Sequence, residues 1–377
     1  MAESFQRPAE SRQRSSGARS RQTDTRVKIR GAGKIRKQDL CPFTQKLAAM
    51  LDAGLPLIQC LSALSEQTEN LHFRKIVEDI RARVEGGASF AEALSAYQGL
   101  FGELYVNMIR AGEMGGGLAE VTARLAAYLE ASAAMVRKVK AALTYPVVVV
   151  LLATALTIVM LVFIVPVFEG IFDDFGAELP APTQMLVTVS NVIRRQAPLV
   201  IVGLIVLVLI LRSVQKTPKG AYAMDSLKLR APVAGSLIEK IALARMSRTF
   251  ASLLRSGVPI LQTISIVAQA TGNRVIGGAL ANCGGQIEGG VPVGASLRAT
   301  GRFPPMVIHM IAAGEKTGNI DGMLEKVADF YEDEVSNTLE SLASMIEPLL
   351  MAFLGVVIGA IVICMFLPIF RMHEIVS

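Results

Sequence analysis

Tryptophan is absent from this 377-residue chain, and histidine and cysteine are scarce, at three and four residues. His72, His309 and His373 are scattered without ligand spacing, and Cys41, Cys60, Cys283 and Cys364 form no CxxC pair. Metal and disulfide chemistry therefore have no motif to build on, and buried or incidental thiols are the default. No metal or cofactor is expected. A G-x-S-x-G elbow is missing, as is any pair of titratable residues inside the apolar runs, so serine hydrolases and intramembrane proteases lack their groups. Alternating strand patterns are missing too, which leaves helix as the element available.

Apolar residues are abundant, at 52%, and the mean hydropathy is +0.46. That is high for a soluble protein and suggests membrane spans. No charge interrupts the stretch between Lys140 and Glu169, whose core is Val147 to Phe168. A second run, Ala197 to Leu211, is short, but Arg195, Arg212 and Lys216 can snorkel to the interfaces. A third runs from Pro348 to Phe370. These lengths suit a hydrocarbon layer of about 30 Å. Three transmembrane helices are predicted, over 143–168, 197–214 and 347–370.

Charge placement sets the orientation. Arg137, Lys138 and Lys140 precede the first span, and Arg212, Lys216, Lys219, Lys228 and Arg230 follow the second. The loop between them, 169–196, carries Glu169, Asp173, Asp174 and Glu178. The positive-inside rule puts that loop outside and both flanks in the cytoplasm. Connectivity then sends the third span outward, leaving 371–377 as a short outer tail.

Residues 1–40 hold eleven Lys/Arg against four acids and contain no apolar signal-peptide core. A basic disordered tail on the cytoplasmic side is the plain expectation, and attraction to anionic membrane lipid is the sharper one. No aromatic residue lies among its basic residues, so no nucleic-acid partner is expected.

From residue 41 onward the chain reads as one module used twice. Gly54 and Pro56 recur as Gly257 and Pro259, a helix end followed by a helix start. Gly86-Gly87 recurs as Gly289-Gly290. Ser89-Phe90-Ala91-Glu92 is a plausible capping box. Ala111-Gly112-Glu113 recurs as Ala313-Gly314-Glu315, read as a hinge between two helices. The stripe Leu118, Val121, Leu125 and Leu129 pairs with Ile320, Met323, Val327 and Phe330. Pro146 pairs with Pro348, and the exits Val165-Pro166-Val167-Phe168 and Leu367-Pro368-Ile369-Phe370 pair as well. The expected fold is all-α: a first cytoplasmic helical domain over 41–142, then a linker and second domain over 215–346. Parallel module spans make this a direct repeat, unlike the inverted repeats of transporters.

Glu315-Lys316-Thr317 does not make a phosphate loop. A Walker A loop needs G-x-x-x-x-G-K-[ST], and Glu315 before the lysine would repel phosphate. The first copy, Gly112-Glu113-Met114, has no lysine. The glutamate is instead expected to cap or support the first turn of the helix that follows. Glu347 stands at the mouth of the third span, where an ionisable group is either functional or a plain interfacial carboxylate. Gly355 and Gly359 form a GxxxG packing face, within the subunit or between subunits. Glu332, Asp333, Glu334 and Glu340 read as a solvated acidic face, or as a docking surface for a basic partner.

Taken together, these segments resemble a known family. Phe43 to Leu57, Phe175-Gly176-Ala177-Glu178-Leu179-Pro180, Phe303 to Val307, Gly314-Glu315, Ala328 to Glu332, Glu347-Pro348 and Met365 to Phe370 are similar to those of PilC-like platform proteins of type IV pilus assembly, relatives of the type II secretion F proteins. The resemblance implies a multi-pass, non-enzymatic platform in the bacterial inner membrane. It implies contact with a hexameric cytoplasmic motor ATPase, with pilin subunits and with other inner-membrane pilus assembly proteins, and a homo-oligomer is expected. The secretion branch is the alternative. Family members carry a further small domain ahead of the first module, and here the Arg/Ser/Gln-rich tail takes its place.

Overall fold

A computed structural model describes residues 39–174, 180–232 and 234–376. Nearly all of the basic tail, and Phe175 to Leu179 of the expected outer loop, lie outside them. Among the described residues the chain is helical, without strands. The first bundle comprises α1 (Leu40–Asp52), α2 (Leu57–Gln67), α3 (Leu71–Glu85), α4 (Phe90–Ser95), α5 (Gln98–Phe101) and α6 (Glu103–Met114). It runs into the long α7 (Leu118–Val159), one π-helical turn (Met160–Ile164) and α8 (Val165–Asp174). The chain returns through α9 (Ala181–Lys216). The second bundle holds α10 (Pro218–Arg230), α11 (Ala234–Arg255), α12 (Ile260–Ala270), α13 (Arg274–Glu288), α14 (Val293–Ala299) and α15 (Pro305–Thr317). It ends in α16 (Ile320–Val376), 57 residues long.

The helix ends follow the sequence punctuation. Gly54, at φ 80°, closes α1 with its amide on Leu51, while the Leu55 amide reaches back to Met50. Gly257, at φ 79°, closes α11 in the same way through Leu254 and Leu253. This is the Schellman arrangement, which needs a residue in the left-handed region and so favours glycine. Pro56 and Pro259 stand just outside the next helices, at the N-cap, with ψ at 141° in both.

The two bundles share one continuous buried core. Phe43, Phe73, Phe101 and Tyr105 stack through it in the first bundle, with ring centroids 4.9 to 6.5 Å apart. Val121 and Leu125 of the expected α7 stripe are buried. In α16 the stripe is partly displaced from the one expected. Val327 is buried as expected and Ile320 packs against the core, but Phe330 is exposed, and Leu324, Ala328, Tyr331 and Val335 complete the buried face. The close packing of α11 against α16 selects that face.

Three boundaries differ from expectation. No break separates bundle from apolar run at residue 143, because α7 passes through Pro146 without ending. Likewise α16 passes Pro348 and continues helically beyond residue 370. A proline costs a helix one hydrogen bond, which a long, laterally packed helix absorbs. The expected loop 169–196 is mostly α8 and α9. Thr183, Val187 and Ser190 of α9 are buried, and Val187 belongs to a core cluster with Leu161, Val165, Ile361 and Met365. Packing therefore holds as helix what composition alone marks as loop. The stretches Leu118–Ile171 and Ile320–Leu367 are long and apolar enough to cross a membrane.

Candidate functional site

The repeated Ala-Gly-Glu stretch sits where each bundle hands over to its long helix. Gly112 and Gly314 are not helix breaks. They lie inside α6 and α15, one turn before the end. The chain turns a few residues later, at Gly116 (φ 71°) and Gly318 (φ 72°). What Gly112 and Gly314 provide is room. A Cβ on Gly314 would lie 2.8 Å from Ile320 Cα and 2.9 Å from the Asn319 carbonyl oxygen. On Gly112 it would lie 3.0 Å from Val121 Cβ. Their carbonyls also accept the amides of Gly117 and Asn319, at 2.9 and 2.8 Å. The expected hinge is a tight hairpin.

The neighbouring glutamates correct the second expectation. Neither caps the helix that follows. The amides of Phe90 and Ala91 donate to the two carboxylate oxygens of Glu113, at 2.5 and 2.8 Å. Those of Val293 and Gly294 donate to Glu315, at 2.8 and 3.3 Å. Each glutamate thus caps the N-terminus of α4 or α14, where unpaired amides and the helix dipole favour a carboxylate. In the first copy the Ser89 hydroxyl also accepts the Glu92 amide at 3.0 Å, as the capping-box spacing predicts. Pro292 takes the serine's place in the second copy, so Glu315 caps α14 without such help. Sequence reasoning put the carboxylate on the wrong helix because its true partner is more than twenty residues upstream.

Between the bundles, the Tyr128 and Thr249 hydroxyls meet at 3.1 Å in the buried core, and Gln262 donates to Asn107 at 3.1 Å. Arg124 donates to the Arg255 carbonyl, and Lys138 to the Ser336 hydroxyl. Arg248 of α11 reaches Asp329 at 2.7 Å and Glu332 at 2.9 Å on α16. Lys240 bonds Glu334 at 2.8 Å, and Arg255 bonds Asp321 and Glu325. The acidic face is therefore partly committed within the chain: Glu332 and Glu334 hold α16 to α11. None of these partners was singled out from sequence. Basic residues of α11 spaced by eight and seven, and so on one helical face, opposite an acidic α16 were the available signal.

In the apolar stretches, Glu347 is exposed beside Pro348. Gly355 and Gly359 are open within the subunit, since a Cβ on either meets nothing within 4 Å among the described residues. Among the described residues no side chain fills that face at either glycine. Pro166 is the second residue of α8, one residue beyond the π-helical turn, and Pro368 lies within α16. No cluster of three or more His, Cys, Asp or Glu suited to a metal ion occurs among the described residues.

The sequence profile of the type II secretion system (T2SS) protein F family matches residues 43–166 and 246–368. The chain is 43% identical over 349 residues to a type IV pilus assembly protein PilC of Myxococcus xanthus, covering 93% of this chain and 84% of the relative. It is 44% identical over 335 residues to the protein of the same name in Thermus thermophilus, covering 89% and 82%. Against a type II secretion system protein F of Xanthomonas campestris the identity is 35% over 338 residues, covering 90% and 84%.

Proposed function

The chain belongs to the type II secretion system protein F family, and on that premise we propose that it is a non-enzymatic inner-membrane platform for type IV pilus assembly. In this reading it couples a hexameric cytoplasmic motor ATPase to the insertion or removal of pilin subunits. The two profile matches support reading the bundles as copies of one module. The observation that carries the mechanism is the continuity of α7 and α16. Each starts in a polar bundle hairpin at Gly112 or Gly314 and extends, as one rod, through an apolar stretch. A rigid helix transmits a displacement at one end to the other, whereas a loop at the membrane surface would absorb it.

In the same reading α9 is a third span that returns the chain to the cytoplasm. The bundles and N-terminus are cytoplasmic, which the basic flanks of the first two spans support, and connectivity then puts the C-terminus in the periplasm. The open Gly355–Gly359 face supports a contact between copies of the chain in a homo-oligomer. The pilus branch is preferred over a secretion F role because identity to the pilus proteins is higher. Purified chain should hydrolyse no ATP by itself and should retain the cognate motor ATPase when immobilised. Failure to retain the motor, or intrinsic hydrolysis, would count against the proposal. A strain lacking the gene that loses exoprotein export but keeps its pili would move the chain to the secretion branch.

A further inference from the structure

Helix α9 meets both long apolar helices, and it does so with two hydroxyls. Thr183, Val187 and Ser190 share one helical face, spaced by four and three residues. All three are buried, beside a cluster formed by Leu161, Val165, Ile361 and Met365. The Ser190 hydroxyl donates to the Leu161 carbonyl. The Thr183 hydroxyl donates to the Cys364 carbonyl at 2.5 Å. By contrast, Thr188 on another face of α9 makes the ordinary bond to its own helix, at the Gln184 carbonyl.

Neither Leu161 nor Cys364 sits at a helix end, so each carbonyl should have a backbone donor. The residue four positions beyond Cys364 is Pro368, which has no N–H to give. In the other span the Val165 amide bonds Met160 through the π-helical turn, not Leu161. The next residue is Pro166, again without an N–H. Both orphaned acceptors thus trace to the paired prolines, and a single helix supplies both replacement donors. A buried carbonyl left without a donor is strongly unfavourable, most of all away from water.

We propose that Thr183 and Ser190 are positioning residues that lock α9 in register with both spans, so that α7–α8, α9 and α16 move as one unit. The two bonds lie two helical turns apart on α9, about 10 Å at 1.5 Å per residue. Each offers a discrete registry, since the proline that follows each carbonyl removes the backbone donor that could take the hydroxyl's place. A displacement of either bundle is then shared by both spans. The hydrogen-bond chemistry stands without any function; its role in pilus assembly rests on the platform reading.

A double-mutant cycle on the detergent-solubilised full-length chain tests the chemistry. Thr183→Val should lower the unfolding midpoint by about 2–4 °C, while Thr183→Ser, which keeps the hydroxyl, should not. In a Pro368→Ala background the new amide can reach Cys364, and Thr183→Val should then cost less than half as much. Additive effects, or a serine variant as damaged as the valine one, overturn the proposal. If Pro368→Ala fails to fold, Ser190→Ala in a Pro166→Ala background is the second cycle, read in the same way. In cells, Thr183→Val with Ser190→Ala should reduce surface pili several-fold, while Thr183→Ser with Ser190→Thr keeps them. Normal piliation of the hydroxyl-free double variant overturns the coupling role. Normal pili in a strain lacking the gene altogether would remove the platform reading instead, leaving the thermal cycle intact.

Discussion

The Glu315 carboxylate holds the Val293 amide at 2.8 Å, as Glu113 holds the Phe90 amide in the first bundle. One residue earlier, Gly314 and Gly112 press against the start of the outgoing helix. Three helices therefore meet at each Ala-Gly-Glu: one capped by the glutamate, one that contains it, and one that leaves for the apolar region. The stretch is a rigid three-way junction, and that is the property a lever needs at its root.

Removing the cap should loosen the junction. Glu315→Ala deprives two amides of their acceptor and should cost about 1–2 kcal/mol. Glu315→Gln, which keeps one acceptor oxygen, should cost less. Denaturant unfolding of the purified protein measures both, and a stability equal to wild type for the alanine variant would contradict the junction.

Space at the junction should be just as decisive. Gly314→Ala places a Cβ 2.8 Å from Ile320 Cα and should destabilise by about 1–3 kcal/mol, with Gly314→Val worse. Gly355→Ala meets open space. It should leave monomer stability unchanged or raise it by up to about 1 kcal/mol. Its effect should appear only in oligomer size, read by light scattering, if the open face joins two copies. Equal damage from the Gly314 and Gly355 changes would refute the contrast.

Arg248→Ala should release α16 from α11. The guanidinium is only 19% exposed and serves Asp329 and Glu332 together. Burial works against its charge, yet those two hydrogen bonds outweigh it and raise its pKa. Losing it should cost roughly 1–2 kcal/mol, and Arg248→Lys should recover only part, since lysine lacks the planar fork. A lysine variant as stable as wild type, in low and high salt alike, would show that the fork does not matter.

Alkaline pH should report on the α3–α4 side of the first bundle. Tyr97 donates to Asp79 at 2.7 Å, and burial together with that bond pushes its phenol up to about 12. A phenol raised in the folded state contributes stability that is fully present below the unfolded value near 10 and is lost as pH climbs toward 12. Tyr97→Phe should flatten the stability profile between pH 10 and 12. A slope unchanged by the substitution would assign that loss to other groups.

The helix ends at Gly54 and Gly257 and the apolar stretches were legible in sequence because each is written in neighbouring residues. What the glutamates do was not. Glu113 and Phe90 are 23 residues apart, and no local rule joins them. The same limit hid α9. Its first half looks like loop because Gln184, Asn191, Arg194 and Arg195 are polar, yet Thr183, Val187 and Ser190 face the spans. Two hydroxyls seven residues apart, Thr183 and Ser190, together with two paired prolines were the signal available. The acidic face on α16 was visible, but its partners, Lys240, Arg248 and Arg255, lie on a helix 66 to 94 residues upstream in the ion pairs they form.

Pilin sheared from the surface of cells lacking this gene measures the platform role most directly. The predicted result is that surface pili vanish while pilin remains in the membrane fraction, and that the wild-type gene supplied in trans restores them. Pili that assemble and retract at normal levels without this chain would contradict the role.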